Sequence, residues 1–193
     1  MKRICVYCGS SYGKLPAYTD AAKALGKTLT DNGIGLVYGG ASVGIMGVVA
    51  DAVLEGGGEV IGVIPQAIAD LEIAHTGLSQ LEVVANMHER KAMMAEFSDG
   101  FIALPGGLGT MEELFEVWTW AQLGFHHKPC GLMNVAGYYD HLTAFIDHTV
   151  DQEYVKAADR ETLLVSSEPA DLIKQMTNYK PSVGTKWIGR DDL

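Results

Sequence analysis

The chain has 193 residues, close to the size of one domain at about 150 residues each, and its 48% hydrophobic, 20% charged composition excludes a disordered chain. A formal net charge of −10 excludes a general nucleic-acid partner, which needs a basic surface, but a local Arg/Lys cluster is enough for a small anion. Cys5, Cys8 and Cys130 form an odd, low count that reads as reduced thiols of a cytoplasmic protein; no stretch is long enough to span a membrane, and Ile4–Tyr7 is too short for a signal-peptide core.

Lys2–Cys8 reads as a buried strand, and Tyr18–Asp31 as a helix ending at Asn32-Gly33. Strand Gly35–Tyr38 runs into Gly39-Gly40, then a helix over Gly44–Glu55 stopped by Gly56-Gly57-Gly58. Strands Val60–Ile64 and Leu81–Val84 follow, then helix Met87–Phe97, strand Gly100–Leu104, loop Pro105–Gly109 and helix Thr110–Leu123. Pro129–Asn134 (strand), Tyr138–Gln152 (helix), Thr162–Val165 (strand) and Pro169–Thr177 (helix) complete the series. Continuously apolar strands alternating with helices imply an α/β fold: one Rossmann-like, doubly wound parallel sheet with helices on both faces. This single domain spans residues 1–180, with an irregular tail over 181–193. In such folds ligands bind beyond the carboxyl ends of the strands, where strand order switches. The Gly clusters after the first, second and fifth strands fall at that edge.

Pro105-Gly106-Gly107-Leu108-Gly109-Thr110-Met111-Glu112-Glu113 joins a strand to a helix. Glycines let a phosphate approach the backbone, and a helix start offers free N–H groups and a favourable dipole. The same residues contain Thr-x-x-Glu, a capping box with Thr110 as N-cap and Glu113 as N3. Gly39–Gly47 is a second strand–helix turn; it is not a proper G-x-G-x-x-G, and no acidic residue ends the next strand to hold a dinucleotide ribose. Gly9-Ser10-Ser11 is a third loop, also explicable as an ordinary turn with a Ser cap. Arg90 and Lys91, on a helix start, can supply charge to a phosphate or carboxylate, or form a solvated helix face.

Together these residues resemble the LONELY GUY (LOG) family of phosphoribohydrolases, which release cytokinin bases from riboside monophosphates. The family's Pro-Gly-Gly-x-Gly-Thr-x-x-Glu motif is matched by Pro105–Glu113, and its upstream Arg-Lys pair by Arg90-Lys91. Its Cys-Gly-Ser-Ser start is similar to Cys8–Ser11, its Gly-Gly…Gly-x-Met-Gly segment to Gly39–Gly47, and a later segment to Thr119–Gly124. The resemblance implies Arg90 and Glu113 as the catalytic pair. It places Gly9, Ser10, Gly40, Lys91, Gly107, Leu108, Gly109, Thr110, Met111, Glu112 and Thr119 in the nucleotide site, with Glu72 matching an upstream acidic position. It also implies a homodimer. Some relatives carry a lysine decarboxylase label, but the sequence offers no identifiable pyridoxal phosphate site or Schiff-base lysine.

Cleaving an N-glycosidic bond builds positive charge on the ribose, which a carboxylate near C1′ stabilises while activating water. Glu113 takes this part, and Arg90 either holds the phosphate or polarises the leaving base. Glu112 lies about 100° around the helix and serves another purpose. No cofactor and no metal are expected: Cys5-Val6-Tyr7-Cys8 lies in a strand and reads as two core thiols on opposite faces, and His126-His127 has no companion ligands. The expected partner is a small-molecule nucleoside monophosphate, with no nucleic acid and no membrane. Two other readings compete: a non-catalytic nucleotide carrier using the same loops, and a nicotinamide-dependent oxidoreductase, which the missing acidic ribose ligand disfavours.

Overall fold

A computed structural model describes residues 1–71 and 73–181 of the chain. Seven strands alternate with helices: β1 (Arg3–Tyr7), α1 (Pro16–Asp31), β2 (Gly35–Tyr38), α2 (Gly44–Glu55), β3 (Val60–Pro65), α3 (Gln66–Ala69), β4 (Gln80–Val84), α4 (Met87–Glu96), β5 (Phe101–Ala103), α5 (Leu108–Gln122), β6 (Cys130–Met133), α6 (Asp140–Asp151), α7 (Ala157–Arg160), β7 (Leu163–Ser166) and α8 (Pro169–Thr177). The strands form one sheet in the order β4-β3-β2-β1-β5-β6-β7, and every adjacent pair is parallel. The expected doubly wound α/β architecture is therefore present. The expected tail lies, apart from Pro181, outside the described residues, as does Glu72.

Period-two alternation along β1 builds two cores from one strand. Ile4, Val6 and Cys8 face one side, where α1, α2 and α8 bring Leu25, Val49 and Leu172. Cys5 and Tyr7 face the other, where Met94 of α4, Leu114 and Val117 of α5 and Ile146 of α6 close the layer. Each fully buried aliphatic side chain contributes roughly 1.5–3 kcal/mol relative to exposure, so the doubly covered central strands anchor the fold. Cys5 and Cys8 thus sit in opposite cores, as their spacing predicts, and both are free thiols.

The differences from expectation are local. Helix α1 starts at Pro16 rather than Tyr18, because Pro at the first turn presets φ and needs no N–H partner. The single turns α3 and α7 are too short to carry a periodic signal. Strand β4 is an edge strand, with Leu81 and Val83 exposed at 37% and 47%. Helix α4 is capped by side chains: the Asn86 side chain accepts from the His88 and Glu89 N–H groups at 3.0 Å, and Glu89 accepts from the N–H of Ala85, just before the cap, at 3.0 Å.

Candidate active site at the β1–β5 switch point

Strand order reverses between β1 and β5, and their carboxyl ends meet there. The Gly9 N–H donates to the Pro105 carbonyl at 3.1 Å, fastening the two loops together. Helix α5 begins at Leu108 with Gly107 as its N-cap, three residues before the start that a Thr110 cap requires. The capping-box reading of Thr110 and Glu113 is therefore overturned. Glycine tolerates the turn without a side-chain cap, and Thr110 lies buried inside the first turn. Among the described residues, the N–H groups of Gly106, Gly107, Leu108, Gly109 and Thr110 find no partner. A methyl group built on Gly107 or Gly109 would meet nothing within 4 Å. This helix start thus presents several unused donors and a positive dipole end to open space, an arrangement suited to an anion.

A cleft of about 300 Å³ opens beside it, lined by Cys8, Gly9, Ser10, Met46, Arg90 and Glu113 among others. Glu113, on the second turn of α5, faces inward and is 7% exposed. Burial raises its pKa; Arg90 opposes that rise, and the net value is about 7. The Arg90 guanidinium lies 3.5 Å from the carboxyl and donates through Nε to the Val63 carbonyl at 3.2 Å. Its path crosses Gly39: a Cβ there would collide with the guanidinium and with the Met46 methyl. Gly44 (φ +57°) does the same for the backbone, letting the start of α2 press against Ser10 and Ser11. The second glycine cluster therefore seats Arg90 and packs α2.

Lys91 is turned away from the cleft. Its ammonium bonds Glu112 at 2.5 Å and Glu116 at 3.0 Å. Burial alone would lower its pKa, but the bonds to Glu112 and Glu116 outweigh it and leave the pKa raised, the reverse of what an imine-forming lysine needs. Burial pushes the Cys5 and Cys8 thiols well above their usual range, so neither is a ready nucleophile. His126 is used structurally, bonding the Val117 carbonyl at 2.8 Å and accepting from the Lys128 N–H at 3.1 Å.

The family described as "possible lysine decarboxylase" matches residues 46–176. Over 180 residues, 93% of this chain, the sequence is 52% identical to a probable cytokinin riboside 5′-monophosphate phosphoribohydrolase of the LOG group from Oryza sativa subsp. japonica, covering 72% of that protein. It is 51% identical, again over 93% of this chain, to a cytokinin riboside 5′-monophosphate phosphoribohydrolase from Arabidopsis thaliana, covering 83% of it. The chain belongs to the LONELY GUY family. The fold of this LONELY GUY member is shared by the molybdenum cofactor binding protein of Rippkaea orientalis (TM-score 0.69, 20% identity, 92% of this chain and 96% of that one). It is also shared by the molybdenum cofactor carrier protein of Chlamydomonas reinhardtii (TM-score 0.69, 21% identity, 92% and 99%).

Of the positions that the LONELY GUY resemblance implies, Gly9, Ser10, Arg90, Gly107, Leu108, Gly109, Thr110, Glu112 and Glu113 come together on the one cleft. Gly40 backs onto Ile64 and Leu81 instead, and Lys91 braces Glu112 at the cleft edge. Thr119 lies in a separate hollow with Phe115, Trp118 and Gln122 on the outer face of α5, and Met111 stands eight residues before it on the same helix. Sequence reasoning missed Met46 and Met87, which line the cleft, with the fully buried Met94 behind them. Met87 and Met94 lie seven residues apart, two turns along α4, and that spacing was the available signal.

Proposed function

We propose that the chain hydrolyses the N-glycosidic bond of a purine nucleoside 5′-monophosphate, taking cytokinin riboside monophosphates and AMP, and releasing free base and ribose 5-phosphate. The observation that carries this is Glu113. It is a buried carboxyl with a pKa of about 7, faced by Arg90 at 3.5 Å, one helical turn from the unpartnered N–H groups at the start of α5.

The 5′-phosphate sits on the N–H groups of Gly107 to Thr110, with the Ser10 hydroxyl beside them. Thr110 to Glu113 is about 4.5 Å of axial rise, the scale of one ribose ring. That brings the Glu113 carboxylate to C1′. As the bond to the base nitrogen breaks, its electron pair leaves with the base, and the carboxylate meets the positive charge building on the ribose. Water adds to C1′, giving one proton to Glu113 and from there to the departing base. With the phosphate already served by backbone donors, Arg90 belongs at the reaction centre. It keeps part of Glu113 ionised and polarises the base. Met46 and Met87 give the base a soft apolar wall that adapts to substituents.

Two further features accompany this reading. A homodimer would cover the exposed outer stripe of α5, where Thr119 and the half-buried Phe115 lie, along with Leu123 and Phe125 beyond it, and light scattering should give twice the chain mass. The buried free thiols suit a reducing cytoplasm.

The deciding experiment is incubation with AMP and with isopentenyl-AMP, followed by chromatography for free base and ribose 5-phosphate. Release of both products from either substrate is expected, with adenosine turned over very poorly. Tight AMP binding without product would instead establish the carrier reading.

A further inference from the structure

The loop between β6 and α6, over 30 residues from the glycine turn in sequence, reaches back and grips it. The Tyr138 hydroxyl donates to the Gly106 carbonyl at 2.5 Å, and the Tyr139 hydroxyl donates to the Leu104 carbonyl at 2.7 Å. With Gly9 on Pro105, three consecutive carbonyls, Leu104, Pro105 and Gly106, each take one donor, two from the gripping loop and one from the loop after β1.

The gripping loop is itself over-determined. Ala136 (φ +50°) and Gly137 (φ +72°) adopt the left-handed region, which a non-glycine residue enters at a cost. The Asn134 side chain accepts from the Tyr139 N–H at 2.7 Å and donates to Asp140 at 2.7 Å, fixing the turn from inside. The Tyr138 ring stands edge-on to Tyr18 (5.6 Å) and Tyr139 (4.9 Å).

A trans peptide is planar, with C=O and the following N–H pointing opposite ways. No peptide bond among the described residues is cis. Holding the Gly106 carbonyl on Tyr138 therefore holds the Gly107 N–H on the opposite side of the same peptide. Glycine on both sides of that peptide leaves it free to flip without such a hold.

We propose that Tyr138 is a positioning residue: its bond to Gly106 locks the Gly106–Gly107 peptide with its N–H toward the ligand, and so sets affinity for the sugar phosphate through the backbone. This rests on the reading that the start of α5 holds the 5′-phosphate. It separates Tyr138 from Tyr139, whose hydroxyl serves a buried carbonyl and the fold itself. Burial drives the Tyr139 phenol pKa far above its usual value, so it stays a donor.

The test is Tyr138→Phe, which keeps the ring packing and removes one donor. Binding of ribose 5-phosphate and of adenine is measured by calorimetry on the parent and variant. Loss of one net hydrogen bond predicts ribose 5-phosphate weakening about 3- to 10-fold, adenine binding within about 2-fold of the parent, and a nearly unchanged Tm. Equal weakening of both ligands, unchanged ribose 5-phosphate binding, or failure of ribose 5-phosphate to bind the parent chain would each overturn the proposal. Tyr139→Phe is the contrast: a clear fall in Tm is expected, from the buried Leu104 carbonyl left without a partner. Because the readout is binding, a parent chain that releases no base would sink the hydrolase reading while leaving this result standing.

Discussion

The two long glycine clusters occupy equivalent places, each between a strand end and a helix start on the same sheet edge, yet they use glycine in opposite ways. In Gly39–Gly47 the missing side chains are filled by protein: the Arg90 guanidinium over Gly39, and the Ser10-Ser11 backbone against Gly44. In Pro105–Thr110 the space at Gly107 and Gly109 is left open, and the N–H groups beside it have no partner among the described residues. One cluster closes the chain on itself; the other packs Gly106 against Thr110 and Gly9 but leaves Gly107 and Gly109 uncrowded beside unused donors. Glycine content alone does not mark a ligand site; the difference lies in whether the backbone donors are used.

Substitutions at the two clusters and at the carboxyl they frame should separate these uses. Glu113→Gln gives the largest effect, a fall in kcat of about 10²-fold or more, because it removes the charge that meets the ribose cation. The melting temperature should not fall with it. At pH 8 the variant should be the more thermostable protein, since the parent must hold a buried carboxylate there. Gly44→Ala forces a left-handed residue to carry a Cβ against the Ser10-Ser11 backbone. Denaturant unfolding should show a loss of roughly 2–4 kcal/mol, and intermediate kcat values at permissive temperature would not contradict the packing role.

Gly107→Ala is the mirror experiment. Its φ of −93° is open to alanine and no atom crowds the new methyl, so stability should change by less than about 1 kcal/mol. KM should rise about 5- to 10-fold, since the methyl enters the space that the proposed function gives to the phosphate. If Gly107→Ala unfolds the protein and Gly44→Ala does not, the contrast between the clusters is wrong.

The pH dependence of the parent chain tests the same carboxyl without a substitution. Burial raises the Glu113 pKa from 4.5 to about 7. A raised carboxyl pKa favours the folded state when protonated. That contribution is complete below pH 4.5 and is lost as pH rises through about 7. Activity runs the other way, with kcat/KM rising through about pH 7 as the carboxylate forms. A kcat/KM profile flat from pH 5.5 to 8.5 would remove Glu113 from the ionised role.

Much of this was legible in the sequence. The parallel α/β fold follows from apolar runs bounded by glycine, and the three clusters fall at one sheet edge because each follows a strand. Cys5 and Cys8 part to opposite cores by strand alternation alone. What failed depended on helix phase. Thr-x-x-Glu matches a capping box and points to a helix start at Thr110, whereas the actual glycine N-cap leaves no side-chain signature. The side-chain cap that does form, Asn86 with Glu89, departs from the Ser/Thr-x-x-Glu pattern, because Glu89 takes the Ala85 N–H. Lys91 and Arg90 are adjacent in sequence but about 100° apart on α4, so one meets Glu113 and the other Glu112. The grip of Tyr138 on Gly106 had no sequence signal, because long-range side-chain bonds have no fixed spacing.

The bond from Gly9 to Pro105 ties residues almost a hundred positions apart, and it spans a seam. Residues up to β4 build one half of the sheet and residues from β5 onward the other, and between the strands they meet only along the β1–β5 ladder. The cleft straddles that seam: Ser10, Met46 and Arg90 precede β5, while Gly107 to Glu113 follow it. A nucleotide bound there acts as a clamp between the halves, present only when both have folded and docked. At a concentration 100 times its dissociation constant, such a clamp adds about 2.7 kcal/mol against separation and unfolding. A chain cut in the segment before β5 would then reassemble more readily with nucleotide present than without it.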